Sequence, residues 1–442
     1  MHLAIEFRSA PKHSTLDCFL NQYDQRHPRD PPIYRIPVEL LSEVFKHCLD
    51  DPSDGTSLGS SFTTMPATHF NPFLLGHVCS YWRTLSISMP TLWSTLAVFC
   101  PNPSLLPLIR LWLSRTADRP LTLSLFQPSI CNDMPNTAVN ETLALFLGLV
   151  PRWRSIDFVF GDQDDGVFEQ LRAFPADTAS MLESVRFVSN RWEYTLTDIV
   201  WGQFHMVSSL RRVDWGPTYL GFVIPHDVPW AQLTHVNMCL ESGALNLDLD
   251  KFLDVLGQCK ELVELECQIL LPLESSPQPK DVVVPRLCML RLHVHGEEPG
   301  PLLRHIKLPS LVSLHIVNVF DSPSEGPQSR LAPYVIDLLT RSDCRLKTFS
   351  LYDPDLMEHE LLQFLSSPVA QSLVNVELKA GCYVSDQTIK LLTHAEGHSK
   401  CLPNLDVLKL PRCLISEGVL SGMLTSHGKN IEKLISGCVQ HP

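Results

Sequence analysis

The chain has 442 residues, 44% hydrophobic and 19% charged, with 35 Lys and Arg against 48 Asp and Glu and a formal charge of −13. This composition is typical of a globular protein, and the length allows two or three domains. The acidic balance argues against a general nucleic-acid or anionic-membrane binder. No secretory signal opens the chain, and no apolar run approaches the roughly 20 residues that span a bilayer. We expect a soluble protein of the cytoplasm or nucleus, with no nucleic-acid and no membrane partner.

The first predicted element is an apolar helix over residues 36–45. Pro37 suits the first turn of a helix, where no amide hydrogen is needed. Leu41, Val44 and Phe45 follow at helical spacing, so they share one face. This face is too apolar for a free surface helix.

A second helix is predicted around Val78, Trp82 and Leu85, whose spacing places them on one face. A proline closes this helix and opens a short turn that carries Leu92 and Trp93. The predicted product is a small, strongly apolar unit of three helices. A module of roughly 40 to 60 residues rarely supplies enough core to stand alone, so this one needs a partner.

Three fragments in this order carry a family resemblance, and they are Ile36-Pro37-Val38-Glu39-Leu40-Leu41-Ser42-Glu43-Val44-Phe45, Val78-Cys79-Ser80-Tyr81-Trp82-Arg83 and Pro90-Thr91-Leu92-Trp93. Together they resemble the F-box, in the form with Pro-x-Leu-Trp at its end that large fungal families have. The resemblance covers residues 34–96. One departure is the stretch 50–71 between the helices, whose composition is typical of a loop and whose length costs little free energy.

The resemblance implies that the unit binds a Skp-type adaptor and, through it, the cullin and RING subunits of a ubiquitin ligase. The residues expected to contact the adaptor are Ile36, Pro37, Leu40, Leu41, Val44, Phe45, Val78, Trp82 and Leu92. The alternative for each is burial inside the three-helix unit itself. Burial is the stronger interpretation for Trp82 and Leu85, and contact is the stronger one for Pro37 and Leu40, at the helix start.

From about residue 120 onward, one pattern recurs: an apolar residue, two others, an apolar residue, one other and an apolar residue. Its middle residues are 28 apart on average, which matches a leucine-rich-repeat period, and the alternation is that of a strand with one buried face. The ten copies are Trp153/Ile156/Phe158, Leu182/Val185/Phe187, Leu210/Val213/Trp215, Leu233/Val236/Met238, Leu262/Leu265/Cys267, Leu287/Leu290/Leu292, Leu311/Leu314/Ile316, Leu346/Phe349/Leu351, Leu373/Val376/Leu378 and Leu405/Leu408/Leu410.

Amphipathic helices are predicted between these strands, among them 251–258, 331–341, 356–365, 385–394 and 416–427. A repeated strand and helix cannot close its core alone, so stacked copies give a curved solenoid with parallel strands on the concave side and helices outside. The alternative is an α/β domain with an ordinary parallel sheet.

The predicted fold class is therefore α/β, a small N-terminal three-helix F-box followed by an irregular leucine-rich-repeat-like solenoid with parallel strands and outer helices. A helix over 105–113 and a strand over 119–125 are predicted to cap the solenoid. The expected domains are a flexible leader 1–32, the F-box 33–97, a linker or solenoid cap 98–125, and the solenoid 126–442.

Motifs that carry chemistry are few. His394 and His398 lie one turn apart but lack the His-Glu-x-x-His order, and the acidic turn 161–166 lacks the last ligand of a calcium loop. His293 and His295 point to one face of a strand and could bind an anion or a metal on the concave surface, but without a third ligand strand packing and surface exposure explain them better. There is no nucleophile elbow, phosphate loop or dinucleotide fingerprint. We expect no enzyme activity, cofactor or metal, and the scattered cysteines are predicted to be reduced core thiols.

The resulting hypothesis is a substrate-recognition subunit of an SCF-type cullin-RING ubiquitin ligase, with an unknown protein substrate held by the repeats. The expected substrate-facing residues are Arg291, His293, His315, Lys379 and Lys409. Strand alternation leaves open which half of such positions faces inward. Two alternatives stay open: an F-box protein in a non-ligase complex with the Skp-type adaptor, and a pure repeat-based protein-binding module.

Overall fold

The computed structural model describes residues 33, 36–49, 72–127, 136–161, 165–189, 194–215, 227–239, 245–246, 249–270, 280–295, 300–319, 331–354, 356–380, 384–393, 401–410 and 413–426. The chain divides into two compact units, Met1–Arg154 and Ser155–Pro442. The predicted leader, the loop 50–71 and the pair His394 and His398 lie outside the described residues. Among the helices in the described ranges, none is both long and apolar enough to cross a membrane.

The first unit combines short helices with a pair of parallel strands. Leu96 on the first strand lies opposite Leu123 on the second. The described elements are α1 (Val38–Leu49), α2 (Pro72–Val78), α3 (Ser80–Ile87), a 3₁₀ turn (Pro90–Trp93), β1 (Thr95–Phe99), α4 (Leu106–Ser114), β2 (Leu121–Gln127), α5 (Asn136–Leu147) and a 3₁₀ turn (Val150–Arg152). The helix and strand predicted for the linker are thus confirmed as α4 and β2.

The helix predicted to start at Pro37 is confirmed as α1. The Pro37 carbonyl accepts a hydrogen bond from the Leu41 amide at 3.0 Å, which closes the first helical turn. Pro37 itself is exposed, and α1 continues to Leu49, so it includes Cys48, which follows Leu41, Val44 and Phe45 at helical spacing.

The prediction that Val78, Trp82 and Leu85 share one helix was wrong. Cys79 has an extended backbone, with φ −161° and ψ 171°, and separates α2 from α3. Its Sγ accepts a hydrogen bond from the Trp82 amide at 3.4 Å, so Cys79 caps the N-terminus of α3. Val78 therefore ends one helix, whereas Trp82 and Leu85 belong to the next.

The core of the first unit is built around Trp93, the last residue of the Pro-x-Leu-Trp fragment. Its ring centroid lies 5.1 Å from those of Phe73 and Trp112, both in edge-on geometry. Trp93 Nε1 donates to the Ser86 carbonyl at 2.8 Å, and Trp112 Nε1 donates to the Trp93 carbonyl at 2.7 Å. The Arg115 guanidinium lies 4.4 Å from the Trp93 ring centroid. The fragment thus holds α3, the 3₁₀ turn and α4 together.

The second unit is a run of strands and helices. Its helices are α6 (Asp165–Arg172), α7 (Tyr194–His205), α8 (Leu249–Gln258), α9 (Gly300–His305), α10 (Leu331–Ser342), α11 (Glu358–Ser366), α12 (Asp386–Leu392) and α13 (Glu417–Ser426). Its strands, the first of which begins at the end of the first unit, are β3 (Trp153–Phe160), β4 (Ser184–Ser189), β5 (Arg212–Asp214), β6 (His235–Met238), β7 (Leu245–Asn246), β8 (Glu264–Leu270), β9 (Val282–Val283), β10 (Met289–His295), β11 (Ile306–Lys307), β12 (Ser313–Val319), β13 (Thr348–Tyr352), β14 (Asn375–Ala380), β15 (Val384–Ser385), β16 (Val407–Lys409) and β17 (Cys413–Leu414).

The main strands of this unit form one parallel sheet in the order β3-β4-β5-β6-β8-β10-β12-β13-β14-β16. The middle residues of the ten predicted copies pair in register along it, and each is at most 3% exposed. This ladder runs Ile156, Val185, Val213, Val236, Leu265, Leu290, Leu314, Phe349, Val376 and Leu408. The predicted repeat and its strand positions are confirmed.

The helices pack behind the ladder. Phe252 and Leu256 of α8 and Leu302 of α9 line the same apolar interior as Leu265 and Leu290. Each fully buried leucine contributes roughly 1.5–3 kcal/mol relative to an exposed one. Because the helices cover this side of the strands, the alternate strand residues lie on the opposite side, which we call the open face. The fold is an α/β, leucine-rich-repeat-like solenoid, as predicted.

The described cysteines follow the prediction of reduced core thiols only in part, since eight of them are free but Cys48 is exposed and five others are half-buried. Cys259 and Cys267 are free and buried, and burial raises the pKa of the Cys259 thiol to about 12. Such thiols behave as small core residues. Cys100 in the first unit is disulfide-bonded, which corrects the prediction that all cysteines are reduced.

His205 at the end of α7 is buried in an aromatic cluster of the second unit. It is 6% exposed, and its ring centroid lies 5.5 Å from that of Trp201 and 6.0 Å from that of Trp215. Its Nε2 is buried, with no hydrogen-bond partner in the described part of the chain. Burial lowers the pKa of His205 from its usual 6.5 to about 4, although the charge of Asp227 acts in the opposite direction.

This burial predicts a loss of stability in mild acid. Between pH 6.5 and about 4 the unfolded chain binds a proton at His205 that the folded chain does not, so stability falls as the pH falls. At pH 5 the loss is about 2 kcal/mol relative to pH 7. His205→Phe removes the titrating group and is expected to flatten this dependence. Urea unfolding followed by tryptophan fluorescence at both pH values measures it, and an unchanged pH dependence would contradict the prediction.

Candidate functional site

The first candidate site lies on the short helices of the first unit, where several large apolar side chains are exposed. Leu40 and Val44 are one turn apart on α1 and are 59% and 46% exposed. Val78 at the end of α2 is 60% exposed, Pro37 is exposed, and Ile36 is half-buried. Five of the nine residues predicted to contact an adaptor are therefore accessible to a partner.

The other four predicted contact residues take part in packing within the unit. Leu41, Phe45 and Leu92 are at most 4% exposed. Trp82 is half-buried, and its ring centroid lies 4.8 Å from that of Phe45, so it joins α3 to α1. Because these four side chains pack inside the unit, fewer of the nine predicted residues are free to contact an adaptor. Helices this short must use part of their apolar residues as core.

Two exposed residues of this kind were missed by the sequence reasoning, Leu74 on α2 and Ile87 at the end of α3, which is 42% exposed. Leu74 is 49% exposed and lies one turn before Val78 on α2. The signal for Leu74 was present in the apolar run that begins at Pro72, which falls between the two predicted helices. We call Pro37, Leu40, Val44, Leu74 and Val78 the apolar helical surface.

The second candidate site is a row of polar side chains on the open face of the repeat sheet. Each row residue directly follows one of the middle ladder residues, so the row also runs in register from strand to strand. Its members, which we call the charged row, are Asp157, Arg186, Asp214, Asn237, Glu266, Arg291, His315, Ser350, Glu377 and Lys409.

At the first end of the charged row, Arg186 bridges two carboxylates. Its Nη1 lies 2.9 Å from Asp157 Oδ1, and its Nε lies 3.4 Å from Asp214 Oδ2. Asn237 Nδ2 donates to Asp214 Oδ2 at 3.2 Å. Burial raises the pKa of Asp157, and the Arg186 charge and hydrogen bond act against that rise. These links join side chains of neighbouring repeats.

Glu266 is the centre of the middle part of the row. Arg291 Nη1 lies 3.1 Å from Glu266 Oε2, and His293 Nε2 lies 3.5 Å from Glu266 Oε1. The hydrogen bond from His293 and the bond and charge of Arg291 lower the pKa of Glu266, against the opposing effect of burial. Glu266 is thus an ionised carboxylate between two nitrogen donors.

In the remaining part of the row, Ser350 is buried, His315 and Glu377 are half-buried, and Lys409 is exposed. Burial lowers the pKa of His315, and the charges of Arg291 and Lys379 lower it further. His315 Nε2 lies 2.8 Å from Ser313 Oγ. Lys409 Nζ lies 3.3 Å from Glu377 Oε1, a surface ion pair of small energetic weight.

All five residues predicted to face a substrate lie on this open face. Arg291, His315 and Lys409 belong to the charged row, whereas His293 and Lys379 lie two residues beyond Arg291 and Glu377 on the same strands. Whether they bind a substrate stays a prediction. The acidic members of the row were missed, although the sequence places a polar residue after the middle apolar residue of every copy.

One group of side chains on the open face could hold a metal. The ligand atoms of Cys239, Glu266 and His293 all lie within 4.8 Å of one another. Burial raises the pKa of the Cys239 thiol, and the neighbouring Glu266 adds to this effect. His295 was considered together with His293 from the sequence, but its side chain lies outside the described atoms.

No family model matches the chain, and no curated protein matches it. Among solved structures, a Bacteroides fragilis protein from a structural genomics consortium is 15% identical with a TM-score of 0.32, over 65% of this chain and 66% of that one. A chain from the crystal structure of the Rad7 and Elc1 complex in yeast is 13% identical with a TM-score of 0.43, over 93% of this chain and 96% of that one. Both scores are low, and neither likeness supports a conclusion about function.

Proposed function

We propose that this chain is the substrate-recognition subunit of an SCF-type cullin-RING ubiquitin ligase. In this proposal, the first unit binds a Skp-type adaptor through its F-box-like helices, and the repeat unit binds a target protein. The observation that carries the proposal is the exposure of Leu40, Val44 and Val78 within the fragments that resemble the F-box. The chain acts in the cytoplasm or nucleus and is not itself an enzyme.

The apolar helical surface supports the adaptor-binding half of the proposal. Leu40 and Val44 share one side of α1, and Leu74 and Val78 share one side of α2, because each pair is four residues apart. When a partner removes exposed apolar side chains from water, the free energy of the complex is lowered by roughly 25 cal/mol per Å² of apolar surface buried. The buried Phe45 packs on the half-buried Trp82 and holds α1 against α3, which lowers the conformational entropy that α1 can lose on binding.

The open face of the repeat sheet supports the target-binding half. The charged row contains both acidic and basic side chains, so its electrostatic field is mixed in sign rather than uniformly positive. A mixed surface is suited to a protein partner with complementary charges, whereas nucleic acid selects clustered Lys and Arg. The chain raises the effective concentration of the target protein at the ligase, because it holds the target beside the subunits that transfer ubiquitin to the target.

The proposal is tested with purified full-length chain, a Skp-type adaptor, and cullin and RING subunits. We expect the chain to capture the adaptor and to enter a complex that also contains the cullin. If the chain captures the adaptor but not the cullin, the ligase role is contradicted, and the chain acts in a non-ligase complex with the adaptor. If no adaptor is captured, the F-box interpretation fails, and the chain is a repeat-based binding module.

A further inference from the structure

Three side chains from neighbouring repeats converge on the open face of the second unit. Cys239 follows β6 directly, Glu266 lies on β8, and His293 lies on β10, and these strands are adjacent in the sheet. Their ligand atoms are all within 4.8 Å of one another, and His293 Nε2 lies 3.5 Å from Glu266 Oε1. All three side chains are half-buried, so they are partly shielded from water yet reachable from the open face.

This geometry fits a tetrahedral metal ion. Ligands at about 2.0–2.3 Å from a tetrahedral Zn²⁺ lie about 3.3–3.8 Å from one another, close to the observed spacing of His293 and Glu266. One thiolate, one imidazole and one carboxylate combine soft and hard donors, a set that suits Zn²⁺ and not Ca²⁺ or Mg²⁺, which prefer oxygen ligands. Three protein ligands leave a fourth position for water or for a group on a partner.

The surroundings orient the carboxylate for this role. Arg291 Nη1 holds Glu266 Oε2 at 3.1 Å, which leaves Oε1 on the side of His293. An outer hydrogen bond of this kind fixes the orientation of a ligating carboxylate. The Cys239 thiol would release its proton to solvent when the ion binds, as zinc-binding cysteines do.

We propose that Cys239, Glu266 and His293 form a Zn²⁺ site through Sγ, Oε1 and Nε2, with its fourth coordination position open on the open face. The three residues are spaced 27 apart in the sequence, so each comes from a successive repeat. No local motif marks such a site, because the repeat period and not a loop brings the ligands together. The inference is independent of the proposed ligase role.

The test is titration of the purified, metal-free full-length chain with Co²⁺, followed by competition with Zn²⁺. The chain has 14 Cys and 18 His, so total metal content alone is not diagnostic. Wild type is expected to develop a thiolate-to-cobalt charge-transfer absorption that saturates at one equivalent and disappears when Zn²⁺ is added. Cys239→Ser is expected to lose this absorption, and His293→Ala to weaken Zn²⁺ binding at least tenfold.

Matched controls come from residues close to the proposed ligands in the repeat sheet. Cys288→Ser removes a free cysteine just before β10, and His315→Ala removes an open-face histidine outside the cluster, so both are expected to bind like wild type. Circular dichroism checks that each variant is folded, and Glu266→Gln gives a second, isosteric test of the site. The proposal is overturned if wild type develops no absorption, or if the absorption persists in folded Cys239→Ser.

Discussion

The double change Leu40→Asp and Val44→Asp is expected to abolish capture of a purified Skp-type adaptor and to leave the first unit folded. Both side chains are largely exposed, at 59% and 46%, so the free protein loses little packing. Leu40 also lies in the first turn of α1, where a negative charge is favourable. In a complex, two carboxylates would be buried against an apolar partner without counter-charges, at a cost of several kcal/mol. Pull-down and calorimetric titration measure the loss.

Two single changes serve as controls for this prediction. Val283→Asp alters a 48% exposed valine in the second unit and is expected to leave capture unchanged. Leu41→Asp alters the 1% exposed neighbour of Leu40 and is expected to lower thermal stability, so that its loss of capture reflects unfolding. If the double variant captures the adaptor as well as wild type, the apolar helical surface is not the contact.

Trp93→Ala is expected to destabilise the first unit by about 3–5 kcal/mol, the usual cost of truncating a large buried aromatic side chain. The Trp93 ring packs edge-on against Phe73 and Trp112 and lies under the Arg115 guanidinium. The change leaves a cavity and also removes the hydrogen bond to the Ser86 carbonyl. Denaturant unfolding followed by circular dichroism measures the effect.

Trp93→Phe is the matched comparison. It keeps an aromatic ring in the cluster but loses the Nε1 donor, so we expect a smaller loss that includes about 1 kcal/mol for the hydrogen bond. Equal stability of wild type and Trp93→Ala would show that the cluster does not hold the unit together.

The repeat fold could be predicted because its signal is periodic and redundant. Ten apolar residues at a mean spacing of 28 were identified from the sequence, and all ten pair in one ladder. Burial of the ladder then fixes the open face, since alternate residues of a strand point to opposite sides. The sequence could not decide between the two faces because both alternate sets contain polar residues near the strand ends.

The site residues were harder to predict, for local reasons. The helix break between α2 and α3 depends on the extended backbone of a single residue, Cys79, and the spacing of apolar residues does not predict such a break. Burial of Leu41 and Phe45 depends on how α1 meets α3, which is a tertiary property. The cluster of Cys239, Glu266 and His293 depends on the register of three strands. The sequence therefore indicated His293 as a possible ligand but not Cys239 or Glu266.

The ladder and the charged row occupy consecutive positions of the same strands. Selection for a stable interior therefore acts on one set of positions, and selection for partner binding acts on the other. A substitution such as Leu290→Ala changes the packing of the interior, whereas Arg291→Glu changes the charge of the open face, although the two residues are adjacent in the chain. Partner preference can therefore diverge one repeat at a time while the interior stays constant. Related chains with this architecture are expected to differ most at the ten row positions and least at the ten ladder positions.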